Sequence, residues 1–159
     1  MIFHIAVCSP DAGLRSGLER QCLDYYARRA DACIVEQFSG PDALLLQDAA
    51  GERFELYLIE LSAAAVPPGL TAAGELRRRG RRAPLAFVAR TPAHAYSAYR
   101  VDAMQYLLLP VHQRELFALL DRATEPEYGP ALTVNTADGL RVLAYAKIEY
   151  LECTHHVVH

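Results

Sequence analysis

Lysine is almost missing from this chain: fifteen of the sixteen basic residues are arginine, and Lys147 is the only lysine. Chemistry that needs an ammonium group ahead of residue 147 is thereby excluded, because a guanidinium is a permanently charged planar fork and not a compact point charge. Long apolar runs are also lacking. The longest charge-free stretch, residues 61–74, contains Pro67 and Pro68, and is too short and too broken to cross a bilayer; no membrane partner is expected. The first residues, Met1-Ile2-Phe3-His4, show neither a basic segment nor a small-residue cleavage site, so the expected location is cytoplasmic. A net charge of −3 offers no global field for nucleic acid and confines any DNA contact to a local surface. The four cysteines, Cys8, Cys22, Cys33 and Cys153, lack C-x-x-C spacing and read as reduced packing residues. No glycine-rich phosphate loop follows the first apolar run, where Ser9-Pro10-Asp11-Ala12-Gly13 holds a single glycine.

What is present is a regular alternation. Hydrophobic residues are 52% of the chain and charged residues 22%, a balance that buries a core and remains soluble. Short apolar runs at 2–8, 33–38, 54–61, 84–88 and 104–109 read as strands buried on both faces. Helical spacing of apolar residues fills 10–29, 42–48, 71–79, 93–100 and 113–123, the first helix opening on Ser9 as a cap and Pro10 at its first position. Five strands alternating with five helices predict right-handed crossovers and a three-layer α/β sandwich with a five-stranded parallel sheet over residues 1–123. Residues 124–130, Thr-Glu-Pro-Glu-Tyr-Gly-Pro, predict a linker. Residues 131–159 change to short strands around the turn Ala137-Asp138-Gly139, an antiparallel meander. Units below about 40 residues rarely fold alone, so this segment is expected to be the first part of a larger β domain.

Ligands of an open parallel sheet bind at the carboxyl ends of the strands, so the residues there carry most information. They include the apolar strand Leu56-Tyr57-Leu58-Ile59-Glu60-Leu61 and the strand ending Tyr106-Leu107-Leu108-Leu109-Pro110. With these, residues 1–123 resemble the flavodoxin-like receiver domain of bacterial two-component response regulators. Gly139-Leu140-Arg141-Val142 and Ala146-Lys147-Ile148-Glu149-Tyr150-Leu151-Glu152 resemble the start of a LytTR-type DNA-binding domain. The resemblance implies a phosphoacceptor aspartate after the third strand, an acidic pair holding Mg²⁺ after the first, a hydroxyl after the fourth and a lysine before a cis-proline after the fifth. At those positions stand Glu60, then Ser9-Pro10 with Asp11 beside them, Ala89, and Leu109-Pro110. Thr91 takes the hydroxyl position only if the alignment is shifted. Phosphoryl transfer is almost entirely charge positioning, and Mg²⁺ wants carboxylate oxygens. The expectation is therefore a degenerate receiver, without catalytic residues, metal or cofactor, in which Glu60 is either a tolerated polar residue at a strand end or an imperfect built-in phosphate mimic, a choice the sequence leaves open.

The resemblance also implies partners. Tyr96, Tyr99 and Tyr106 are candidate interface residues on the face of the fourth helix, fifth strand and fifth helix, where receivers commonly dimerise. A complete LytTR domain implies promoter DNA as ligand and a transcription-regulating role, with a sensor kinase or another protein upstream. The run Arg77-Arg78-Arg79-Gly80-Arg81-Arg82 reads as a solvated helix end. Cys153, His155, His156 and His159 are expected to alternate along a strand and hold no zinc. Two other readings stay open: a receiver still able to accept a phosphoryl group, and a small flavodoxin-like ligand-binding module.

Overall fold

The computed structural model describes residues 2–124 throughout and, beyond them, the backbone of four short strands between residues 131 and 158. The expected alternation is present: β1 (Ile2–Cys8), α1 (Ala12–Arg28), β2 (Ala32–Phe38), α2 (Pro41–Ala49), β3 (Leu56–Glu60), α3 (Pro68–Arg78), β4 (Leu85–Ala89), α4 (Ala95–Arg100), β5 (Gln105–Leu108) and α5 (Gln113–Thr124). The five strands form one parallel sheet in the order β2-β1-β3-β4-β5. Further on, β6 (Ala131–Thr136) pairs antiparallel with β7 (Gly139–Ala144), and β8 (Cys153–Thr154) with β9 (Val157–Val158). The linker expected at 124–130 lies outside the described residues except for Thr124, which closes α5. The strand expected at 148–151 and the side chains of the Cys153–His159 segment also lie outside them.

The strands are apolar at nearly every position because both faces are covered. Side chains alternate across the pleat. Phe3, Ile5 and Val7 of β1, Leu56 and Leu58 of β3, and Ala86 and Val88 of β4 face α1 and α5, where Leu18, Cys22, Tyr25, Leu116 and Leu120 complete one core. Ala6, Cys8, Tyr57, Ile59, Leu85, Phe87 and Ala89 face the other way, against Leu44 of α2, Leu76 of α3 and Ala98 of α4. α5 is tied to α1 at its end: the Tyr25 hydroxyl donates to Asp121 at 2.6 Å and the Arg29 guanidinium to the same carboxylate at 2.8 Å. Arg29 also stacks over the Tyr25 ring, 3.7 Å from its centre.

Most element boundaries shift by one or two residues from expectation, and three differences have a clear local reason. The first helix is capped by Asp11 and not Ser9: the Asp11 carboxylate accepts from Gly13 N and Leu14 N, because Ser9 is held elsewhere. α3 begins at Pro68 and not at 71, with Pro67 as the residue before it; proline lacks the amide hydrogen that the first helical turn leaves unbonded anyway. The fourth helix divides into a 3-10 turn at Pro92–His94 and a short α4, the Thr91 hydroxyl accepting from Ala93 N at 3.4 Å.

Candidate functional site

At the carboxyl edge of the sheet, backbone hydrogen bonds bring the strand ends into a row. Ser9 N donates to the Phe38 carbonyl at 3.0 Å, Leu61 N to Val88 at 2.8 Å and Leu109 N to Ala89 at 2.8 Å. Ser9, Glu60, Ala89 and Leu109 thereby converge as the strand-end reading requires. Gly69 lets α3 approach closely there: a Cβ on it would lie 2.8 Å from the Glu60 carbonyl oxygen.

The polar groups in this row are already engaged. Ser9 is buried, and its hydroxyl donates to Glu60 Oε2 at 2.5 Å while accepting from Asp11 N at 3.0 Å. Asp11 turns its carboxylate to the start of α1. Ala89 is buried and brings no polar side chain to the site. The Leu109-Pro110 bond is cis. The Thr91 hydroxyl caps the turn that follows it and does not stand in for the missing group at position 89. The donor set does not fit Mg²⁺. Glu60 is the one carboxylate not committed to capping, and among the described residues no group of three or more His, Cys, Asp or Glu side chains is placed to hold a metal.

Two cations at this edge were not singled out from sequence. Arg15, one turn into α1, donates through Nη1 to the Ser9 carbonyl at 2.7 Å and through Nε to Gln37 Oε1 at 3.2 Å. Arg90 follows Ala89 directly and lines an open crevice of about 490 Å³ with Asp11, Gly13, Leu14, Leu109 and Pro110. The sequence carries the signal: Arg90 is one residue past the end of β4, and Arg15 lies four residues after Asp11, on the same helical face. The pocket is therefore without an ammonium but not without positive charge. Beneath it, burial pushes the Cys8 thiol up to about 12, with Arg15 pulling it down and Glu60 adding to the rise; the thiol stays protonated and unreactive.

Of the three tyrosines expected on the interaction face, Tyr96 and Tyr99 are 74% and 70% exposed. Tyr106 is half-buried. It alternates inward from β5, packs against the core that holds Ala98, and its hydroxyl donates to the Thr91 carbonyl at 2.7 Å. The exposed apolar residue on that strand is Leu108.

The arginine run lies at the surface, as expected, with Arg78, Arg79, Gly80 and Arg82 exposed, but the guanidinium groups of Arg77, Arg79 and Arg81 are engaged within the fold. Asp48 on α2 is 1% exposed, and its carboxylate accepts from Arg81 Nε at 2.6 Å and Arg79 Nη1 at 3.0 Å, with Arg53 at 3.6 Å. Gly80, at φ +83°, ends α3, and Arg81 N bonds back to the Leu76 carbonyl at 3.0 Å. This left-handed cap turns Arg81 over Asp48. Burial works against the charge on Asp48, but the hydrogen bonds from Arg81 and Arg79 and the charges of Arg81 and Arg53 hold its carboxyl below the ordinary range. Arg77 donates to the carbonyls of Val101, Arg81, Ala83 and Asp102, fastening α3 to the segments before β4 and β5. Arg78, paired with Glu75, remains outward-facing.

No protein-family model and no curated protein matches this chain. Solved structures do. The response regulator TrrA from Thermotoga maritima, solved in complex with Mg²⁺–BeF, superposes with a TM-score of 0.63 at 15% identity over 76% of this chain and 98% of its own. The response regulatory domain of MrkE from Klebsiella pneumoniae gives 0.65 at 12% identity, covering 77% and 95%. CheY4 of Vibrio cholerae, a chemotaxis response regulator, gives 0.63 at 16% identity, covering 77% and 99%. At these identities the likeness defines a fold. The five-stranded parallel sheet and its helices have the receiver-type, flavodoxin-like architecture.

Proposed function

We propose that this chain is a signalling protein of the response-regulator kind whose receiver-like domain does not undergo phosphorylation and works through association. The observation that carries the reading is the Ser9–Glu60 hydrogen bond at 2.5 Å. The position that would accept a phosphoryl group holds a carboxylate bonded by a buried serine hydroxyl, in a site that lacks a second free carboxylate and a lysine. Phosphoryl transfer needs metal and cationic stabilisation of the charge on the equatorial oxygens, and Arg90 at the rim supplies at most one part of that.

In this reading the face of α4, β5 and α5 makes the homodimer or receives another protein, such as a sensor kinase. Supporting it, Tyr96 and Tyr99 of α4 are exposed, as is Leu108 on the edge strand β5, and apolar surface of this kind favours association. Residues 131–159 then begin a LytTR-type output domain, and the complete domain binds promoter DNA. The β6–β7 hairpin supports an antiparallel β character for this segment.

Incubation of the chain with acetyl phosphate and Mg²⁺, followed by intact mass measurement, tests the central claim. The expected spectrum shows unmodified protein, and stoichiometric addition of one phosphoryl group overturns the reading in favour of a working receiver. The crevice of about 490 Å³, with Asp11 and Arg90 on its walls, falls in the ordinary size range of small-molecule sites. That observation favours a second reading, a ligand-binding module at the same edge.

A further inference from the structure

At the opposite, amino end of the sheet, the segments leading into β3 and β4 enclose a cleft of about 240 Å³ lined by Arg53, Phe54, Tyr57, Gly80, Arg81, Arg82 and Ala83. We propose that this cleft is an anion site that binds the phosphate group of a small molecule.

Three observations carry the proposal. The first is an excess of cations. Three guanidinium groups, Arg53, Arg81 and Arg82, line the cleft, and the carboxylate buried beside it, Asp48, is bonded by Arg81 and approached by Arg53, while Arg79 is shared between Asp48 and Glu75. The second is free donor capacity. Arg81 uses Nε and Nη2 on Asp48 and Nη1 on the Arg79 carbonyl, so three of its five N–H donors are engaged. Arg53 places only Nη1, on the carbonyls of Asp48 and Glu52. Its remaining donors, and the exposed guanidinium of Arg82, are open to a ligand. The third is Tyr57. This residue is 1% exposed and lines the cleft, and no described residue hydrogen-bonds its hydroxyl. Burial, and next the Asp48 charge, raise the phenol's pKa, so the hydroxyl remains a donor.

Convergent guanidinium forks with a neutral hydroxyl match an anion that has several acceptor oxygens around one centre, and phosphate has that geometry. The small volume admits the phosphate itself, and the exposure of Arg53 and Arg82 leaves the remainder of a larger molecule in solvent. The site is at the far end of the sheet from Ser9 and Glu60, so it stands independently of the reading given for that edge.

Titration calorimetry on the full chain tests it, with inorganic phosphate and a nucleoside monophosphate as probes and chloride at matched ionic strength as reference. Saturable binding is expected, weakened about tenfold by Tyr57→Phe and by Arg82→Ala, the loss typical of one hydrogen bond to a charged group. Tighter binding of the nucleoside monophosphate identifies the phosphate as part of a larger ligand, and equal binding identifies free phosphate; both support the site. Arg90→Ala, at the other edge, is expected to leave binding unchanged. No saturable binding of either probe overturns the proposal, as does wild-type affinity in Arg82→Ala or loss of binding in Arg90→Ala. Arg82 is exposed, so that variant keeps the test decisive even if Tyr57→Phe does not fold.

Discussion

The two ends of the sheet handle a carboxylate in opposite ways. At the amino end, Asp48 is buried and shared among three arginines. At the carboxyl end, Glu60 is partly exposed and receives one neutral hydroxyl, with Arg15 directed at a backbone carbonyl and Arg90 at the crevice rim. A buried charge requires opposite charge and hydrogen bonds to be tolerated, and the amino end supplies both. A partly exposed one keeps water, and a single partner is enough to orient it. The buried charge cluster is thus at the end remote from the strand-end crevice.

The strongest way to break this contrast is to neutralise Asp48. Asp48→Asn leaves Arg53 and Arg81 without their counter-charge and Arg79 with Glu75 alone, and removing one partner of a buried ion pair costs on the order of 3–5 kcal/mol. The lower part of that range is expected, because Arg53, Arg79 and Arg81 all retain contact with solvent. Urea unfolding measures it. The pH dependence adds a second check. The native carboxyl is held below its ordinary value, so its stabilisation is fully present above the unfolded value of about 3.9. It fades as the pH falls further and is gone once the depressed native value is passed. The gap between wild type and Asp48→Asn should therefore narrow on acidification below about pH 4; a gap that widens there removes Asp48 from this role.

The contrast also divides what was legible in the sequence. The five strands were readable because parallel strands covered on both faces are apolar throughout, and the row Ser9, Glu60, Ala89 and Leu109 followed from the rule that strand ends share one edge. The amino-end cluster was not readable. Arg79 and Arg81 meet Asp48 across 31 and 33 residues, a pairing with no periodicity to reveal it, and an arginine run at a helix end has the composition of a solvated surface. Ser9 was misread as a cap because serine and aspartate both suit that position, and the choice was made by Glu60, 51 residues away. The degree of exposure of Tyr106 was not readable for a related reason: a four-residue strand is too short for the pattern to declare its phase.

Ser9→Ala sharpens the comparison from the other end. It removes the one hydroxyl bonded to Glu60, but water can reach the partly exposed carboxylate, so the expected loss is about 1 kcal/mol, the net worth of an ordinary hydrogen bond. Equilibrium unfolding of Ser9→Ala beside Asp48→Asn gives the ratio directly. A loss at Ser9 equal to that at Asp48 shows that Glu60 behaves as a buried charge, and the distinction between the two ends collapses.

The smallest effect on stability, and the largest on association, is expected at Tyr96 and Tyr99. Both rings are mostly exposed and neither hydroxyl is bonded to a described residue, so the double replacement Tyr96→Ser with Tyr99→Ser should change the unfolding free energy by no more than about 0.5 kcal/mol. If α4 and β5 form the homodimer face, the same replacement removes two aromatic anchors, the residue type that dominates interface energetics. Analytical ultracentrifugation should then show a self-associating wild type and a monomeric variant at the same concentration. An unchanged sedimentation profile moves the association surface elsewhere on the domain. A large drop in stability shows instead that these rings pack within one molecule, and that the carboxyl edge is more firmly built than its exposed tyrosines indicate.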